Sequence, residues 1–307
     1  MTEPPGGRGV SPRQVRREPL QTEPRPAVIL VGTPIGNLGD ISPRAVEALT
    51  DADVIAAEDT RRTRPMLTAL GIPSGGRLVS FHGPHEAELA AKLVARIVER
   101  GERLVCVTDA GMPGISDPGE RLVTAALAAG VAVEMVPGPS AALAALVVSG
   151  LPTARFVFEG FLPRKGRQRA VRLGDLKTEE RTVVLFEAPH RLEATLADLV
   201  GALGPDRPVA VAREITKRFE TVWRGTLGQA VSDDGPQARG EQVIVLGPAA
   251  PVVKTEPDDD AIEDALRAEL AAGASTRDAA AVVANRLGVT RRRAYALANS
   301  LRGSARP

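Results

Sequence analysis

Aromatic side chains make up only 3% of this 307-residue chain, so its core must be built from Ala, Val, Leu and Ile. There is a single cysteine, Cys106, which excludes an internal disulfide and fits a reducing compartment. Its neighbours, "RLVCVT", favour a small buried hydrophobe over a reactive thiol. The three histidines, His82, His85 and His190, have no metal-ligand spacing, so no zinc site is expected. Neither charge sign prevails: 39 basic side chains face 38 acidic ones, and net charge says nothing about partners. Only five of the basic residues are lysine, a compositional bias, so nucleic-acid binding has to be argued from local clusters. The longest apolar stretches, around 123–136 and 141–148, are interrupted or too short to span a bilayer. The N-terminus, rich in Pro, Gly and Arg, lacks the apolar centre of a signal peptide. These absences lead us to expect a soluble cytoplasmic protein with no membrane partner.

What is present is an ordered alternation. Residues 1–25 lack apolar periodicity and read as a disordered tail. From "PAVILVG" onward, short β-branched runs (27–32, 53–57, 78–81, 103–107, 131–135) alternate with amphipathic segments (43–50, 61–70, 86–100, 118–129, 139–148). That pattern predicts a parallel-rich α/β domain over 26–148. After "SGLP", runs at 154–158, 181–186, 207–212, 218–225 and 241–247 are separated by fewer helices. They predict a second α/β domain over 149–248, with antiparallel pairs in its sheet. A Pro- and acid-rich linker (249–258) leads to a helical module (259–307).

Three loops follow predicted strands of the first domain. "GTPIGNLGD" (32–40) is neither a Walker loop nor G-x-G-x-x-G, so alone it is equally a ligand loop or an ordinary turn. "VTDAGMPGISDPG" (107–119) carries Asp109 as a candidate acceptor, glycines that open the main chain to a ligand, and Asp117 as the expected N-cap of the next helix. "VPGPSAA" (136–142) offers Ser140 as a cap or ligand contact. Open α/β sheets bind ligands at such carboxyl-end loops, so a cleft is expected there.

These motifs, with "AAEDTRRTRPML", "FVFEGFLPRKGRQR", "LFEAPHRL" and "AREITKRFETVWRGTL", resemble the tetrapyrrole-methylase superfamily over about residues 26–247. Within it they resemble the branch whose members 2′-O-methylate a cytidine in the decoding region of 16S rRNA, using S-adenosylmethionine. The resemblance implies two α/β domains with the cofactor in the cleft between them, and a homodimer. It implies cofactor contacts from Pro34, from Asp109, Ala110, Gly111, Ile115, Ser116 and Ser140, and from Phe186, Glu187, Ala188 and Arg213 of the second domain. One segment, "FHGPHEAE" (81–88), departs from the family pattern: His82 matches, while the register of His85 and Glu86 does not follow.

A ribose hydroxyl is a weak acid, so a general base would help methyl transfer. Glu187, Glu214 and His82 are the candidates. Glu58 and Asp59 are further ones, though Asp59 equally suits a helix cap. Nothing in the sequence chooses among them. RNA needs phosphate contacts, and two clusters offer them: Arg61, Arg62 and Arg64, then Arg164, Lys165, Arg167 and Arg169, with Lys217 able to join. In the tail, Ser275, Gly288 and Thr290 mark cap positions around "LGVT", and "RRR" (291–293) opens the last helix. This helix-turn-helix-like pattern suits docking on RNA or the small ribosomal subunit. Two other readings stay open, a corrin-precursor methylase of the same fold and a non-enzymatic nucleic-acid-binding regulator.

Overall fold

The computed structural model describes residues 26–250 and 257–303. The expected tail and most of the expected linker lie outside the described residues. Two compact units divide between Ala249 and Ala250.

The first unit begins with β1 (Ala27–Val31), α1 (Pro43–Asp51), β2 (Val54–Ala57), α2 (Thr60–Ala69), β3 (Leu78–Ser80), α3 (Glu86–Arg100), β4 (Arg103–Val107), α4 (Glu120–Ala128), β5 (Ala132–Val136) and α5 (Ala141–Val148). Its five strands are all parallel, in the order β3-β2-β4-β1-β5. β1 is buried along its whole length because helices cover both faces of the sheet. Ala27, Ile29 and Val31 pack with Ala45, Ala48 and Leu49 of α1. Val28 and Leu30 pack with Val94 and Ile97 of α3 and Leu122 of α4. Cys106 lies in this second layer, and burial pushes its thiol up to about 12. It is a core hydrophobe, as its neighbours suggest.

β1 and β4 are neighbours, yet the chain leaves β1 toward β2 and leaves β4 toward β5 on the other side. Their carboxyl-end loops therefore diverge, and a crevice opens between them.

The unit continues with β6 (Phe156–Phe161), α6 (Arg167–Lys177), β7 (Thr182–Glu187), α7 (Leu192–Leu203), β8 (Pro208–Arg213), β9 (Thr221–Thr226), the short α8 (Leu227–Ala230) and β10 (Gln242–Leu246). The second sheet runs β6-β7-β10-β8-β9, with β6 and β7 parallel and the other pairs antiparallel. β6 runs on to Phe161 rather than stopping at Phe158, because a bulge at Phe158/Gly160 carries it past an irregularity. One face packs on α7 through Leu185, Leu192, Leu196 and Ile244. The other face, with Val184, Ala210 and Val245, packs on Ala142, Ala145 and Leu146 of α5. Helix α5 is apolar throughout, so it can join the two sheets and still expose Leu143 and Val147. Arg224 of β9 donates to the Val148 and Ser149 carbonyls at its end.

The second unit holds α9 (Asp259–Ala271), α10 (Thr276–Leu287) and α11 (Arg291–Gly303) around Ile262, Leu266, Val283 and Ala298. Ser275 caps α10, accepting from Asp278 N and donating its hydroxyl to the Asp278 carboxylate at 2.6 Å. Gly288 closes α10 in the left-handed conformation, at φ 68°. The Thr290 hydroxyl accepts from Arg293 N at 3.3 Å. Arg293 is tied to Asp259, whereas Arg291 and Arg292 are exposed.

Candidate functional site

The loops after β1, β4 and β5 meet because two glycines touch back to back. A Cβ on Gly32 would stand 2.6 Å from Gly138 Cα, and one on Gly138 would stand 2.8 Å from Gly32. Thr33 and Gly111 pair as an isolated antiparallel bridge, with Thr33 N donating to Gly111 O at 2.8 Å. The first glycine-rich loop is thus a rim built to approach other backbone.

Asp117 does not cap the next helix. Gly119 occupies that position, with φ 145° and a Cβ site that would lie 2.9 Å from Gly114 N. Its N–H is satisfied by Glu86 Oε1 at 3.0 Å, so the segment that departs from the family pattern supplies the brace for this loop. Ser116 adopts φ 63° between these anchors.

The crevice encloses a cavity of 380 Å³ against the ends of β6, β7 and β10. Its walls are apolar at Ile35, Ile115, Phe161 and Phe186. Phe186 sits edge-on to both Phe158 and Phe161, with ring centroids 5.0 and 5.6 Å apart. Of the residues at which the resemblance implies cofactor contacts, Asp109, Ala110, Gly111, Ile115, Ser116, Ser140, Phe186, Glu187 and Ala188 line it. Pro34 lines an adjoining depression of 280 Å³, which shares Ile35, Arg62, Asp109, Ala110 and Glu241 with the cavity. Arg213 lines neither and belongs to a third depression at the carboxyl end of β8, where it pairs with Gln242.

The polar side of the cavity is acidic. Asp109 accepts from Asp59 N and from Arg62 Nη1, both at 3.1 Å, which occupies both carboxylate oxygens. Glu58 accepts from the Thr108 hydroxyl at 2.6 Å and from Asp109 N at 3.1 Å. Asp117 contacts the same Thr108 hydroxyl. Burial pushes Asp117 up to about 6, helped by the charges of Glu58 and Asp109 and opposed by that hydroxyl. Gln242 is nine-tenths buried or more, donates its amide to the Gln237 and Arg239 carbonyls, and leaves Oε1 without a donor. Glu58, a candidate base in the sequence, is thus a polar group of the site, whereas Gln242 was not singled out and Asp117 was read only as a cap. The signal for Asp117 was in the motif, but it also fits a cap.

The expected bases fare differently. Glu187 lines the cavity but is buried, accepting from Thr195 Oγ1 at 2.6 Å and Ala188 N at 2.9 Å, with Arg191 at 3.3 Å. Glu214 is tied to Lys217 and Glu241 N in the third depression. Those partners hold its carboxyl below the usual range. His82 is exposed and lines none of these spaces. Asp59 is the N-cap of α2, and its hydrogen bonds from Arg61 hold it at about 2.

Among the expected phosphate contacts, Arg164, Lys165 and Arg167 are exposed directly after Phe161. Arg61 and Arg64 are exposed beside the cleft, and Arg62 lines it. Arg169 is a correction: it is buried, donating to Asp198, the Pro163 carbonyl and Thr195 Oγ1, and so braces the loop instead of meeting a phosphate. Lys217 is likewise spent. It crosses Gly36, where a Cβ would stand 2.3 Å from its Cγ, and pairs with Glu214 and Glu241 at 3.0 Å.

The profile of the family described as Tetrapyrrole (Corrin/Porphyrin) Methylases matches residues 27–231. A protein of Synechocystis named "Ribosomal RNA small subunit methyltransferase I" is 44% identical over 89% of this chain and 97% of its own. One of the same name from Xylella fastidiosa is 50% identical over 72% of this chain and 81% of its own. Among solved structures, uroporphyrin-III-C-methyltransferase from Thermus thermophilus superposes with a TM-score of 0.51 at 24% identity. That match covers 73% of this chain and 94% of the other, and it supports the fold alone.

Proposed function

The chain belongs to the tetrapyrrole (corrin/porphyrin) methylase family, and within it to the ribosomal RNA small subunit methyltransferase I group; from that premise we propose that it transfers a methyl group from S-adenosylmethionine to the 2′-oxygen of a cytidine ribose in 16S rRNA. The observation that carries this reading is the 44% identity that spans 89% of this chain and 97% of the Synechocystis relative. The cytoplasm, where small ribosomal subunits are found, is the compartment this substrate requires. No helix among the described residues is long and apolar enough to cross a membrane.

The cavity fits the cofactor chemically. Its volume lies in the roughly 300–1,000 Å³ range of small-molecule sites. Its acidic lining exceeds its basic lining, since Arg62 already serves Asp109, and such a surface favours a cation. The donor-less Gln242 Oε1 suits an N–H of the ligand. When bound, S-adenosylmethionine supplies a methyl group already activated by the positive sulfur.

The chain's own residues then orient the acceptor and take its proton. Among the acidic side chains lining the cavity, Asp117 is the one whose only bond is to a shared hydroxyl, and it receives the ribose proton. Thr108 contacts Asp117, and Glu58 anchors Thr108. Arg164, Lys165, Arg167, Arg61 and Arg64 contact backbone phosphates around the mouth, since an exposed pair such as Arg61–Asp59 exchanges partners at little cost. The homodimer belongs to the same reading, supported by the exposed Leu143 and Val147 on α5.

The test is methyl incorporation from labelled S-adenosylmethionine into 30S subunits from cells lacking the endogenous enzyme, with the product nucleotide mapped. Label on one cytidine ribose is expected. Cofactor binding without label on rRNA would overturn the substrate assignment.

A further inference from the structure

The third depression has a volume of 420 Å³ and is lined by Arg213, Glu214, Phe219, Gln237, Arg239 and Gly240. Its backbone is held in an unusual shape. Glu214 and Thr216 adopt φ 52° and 66°, a region that non-glycine residues rarely enter. The loop is pinned there by Glu220, which accepts from Thr216 N at 2.7 Å, and by the Glu214 carboxylate, which accepts from Glu241 N at 2.8 Å. Strain maintained in this way commonly marks a binding surface.

The charges point to an anion. Arg213 donates Nη1 to the Gln237 side chain and Nη2 to the Phe219 carbonyl, both neutral acceptors, and its buried Nε has no partner. Arg239 is exposed, and no described carboxylate pairs with it. The one acidic side chain in the lining, Glu214, pairs with Lys217 at 3.0 Å, a lysine it shares with Glu241, and the charge of Arg213 acts on it too. Two guanidinium groups thus share one depression with a single carboxylate, which Lys217 engages, an arrangement suited to phosphate oxygens. Phe219 stands 65% exposed at the same site, with the Arg218 guanidinium 5.6 Å from its ring centroid. An uncovered aromatic beside paired arginines is the chemistry of single-stranded RNA, where bases stack on rings and phosphates on cations.

The depression is coupled to the cavity. Gln242 lines the cavity, and its amide nitrogen donates to the Gln237 and Arg239 carbonyls at 3.0 and 2.6 Å. The wall of one site therefore hangs on a residue of the other. We propose that this depression is a single-stranded RNA subsite for the nucleotide adjoining the one that enters the cavity, with its phosphate between Arg213 and Arg239 and its base on Phe219. The inference rests on the RNA-methylating reading above.

The test is fluorescence anisotropy of a short labelled single-stranded oligoribonucleotide against the full chain over a series of salt concentrations. Phe219→Ala and Arg239→Gln are compared with Arg121→Gln, a control on the exposed face of α4. All three positions are exposed, so folding is not at stake. Phe219→Ala is expected to weaken binding about ten-fold at every salt concentration without changing the salt slope. Arg239→Gln is expected to weaken binding and lower that slope by about 0.7. Unchanged binding and slope in both variants would overturn the subsite. In parallel, wild-type protein is assayed for label on 30S subunits. Label with unaffected variants removes the subsite alone, whereas neither label nor RNA binding removes the functional reading with it.

Discussion

Asp117 illustrates how one side chain can be asked for opposite things. Its pKa of about 6 makes the neutral carboxyl the form the fold prefers, while proton acceptance requires the anion. The stability it lends is therefore complete below the unfolded value of about 3.9 and is lost as pH rises through about 6. Activity runs the other way. The rate of methyl transfer at saturating cofactor should rise with pH through about 6 and then level. Asp117→Asn should remove that limb and lower kcat by about 100-fold, with the cofactor dissociation constant little changed. The same variant should unfold at a higher denaturant concentration than wild type above about pH 7, because it no longer confines a charge among Glu58 and Asp109. A variant with normal kcat and an unaltered pH profile would show that the proton goes elsewhere. The residue scale also separates look-alikes. Glu187 occupies a strand end in a motif of the site, yet its oxygens are consumed by Thr195, Ala188 and Arg191.

Among the elements, the loops that bound the cavity depend on close approach more than on sequence identity along their length. Gly32 and Gly138 belong to loops separated by more than one hundred residues, and each leaves room for the other. Gly138→Ala would push its new methyl onto Gly32 backbone atoms, which cannot swing aside as a side chain can. The expected cost is about 1–3 kcal/mol of stability. Because the loop after β1 must retreat, cofactor affinity should fall as well, which equilibrium dialysis would detect. Full affinity in a normally stable Gly138→Ala protein would contradict this packing. At this scale most elements were legible in the sequence: strands and helices of the first sheet fall within a few residues of their expected positions, since buried parallel strands read as unbroken apolar runs. The bulge that extends β6 to Phe161 was not legible, because it depends on the register of β6 against β7.

The whole molecule consists of an α/β unit and a helical unit, each with its own core. A chain ending at Ala249 should therefore unfold cooperatively and keep its cofactor affinity. If the exposed Arg291 and Arg292 of α11 contact rRNA, the truncated chain should show a KM for 30S subunits raised about ten-fold, since a tethered second contact raises effective concentration. Aggregation of the truncated chain, or lost cofactor binding, would mean that the helical unit supports the fold rather than docking. An unchanged KM would remove its part in substrate capture.

The sequence by itself determined the class of the protein: its alternating elements, its three carboxyl-end loops, the caps at Ser275 and Gly288, and motifs specific enough to name a family. These are local signals, carried by spacing and by residue conformational preference. What each charged residue does was decided only by tertiary structure. Arg169 and Arg164 stand in one motif, yet Arg169 is bonded to Asp198 and Thr195 while Arg164 faces outward. Asp117 reads as a helix cap until Glu86, from a distant segment, takes over the Gly119 N–H. Arg213 and Arg239 converge on one depression only because β8 and β10 pair antiparallel. Desolvation and pairing depend on what the fold brings within a few ångströms, and such neighbours are rarely neighbours in the chain.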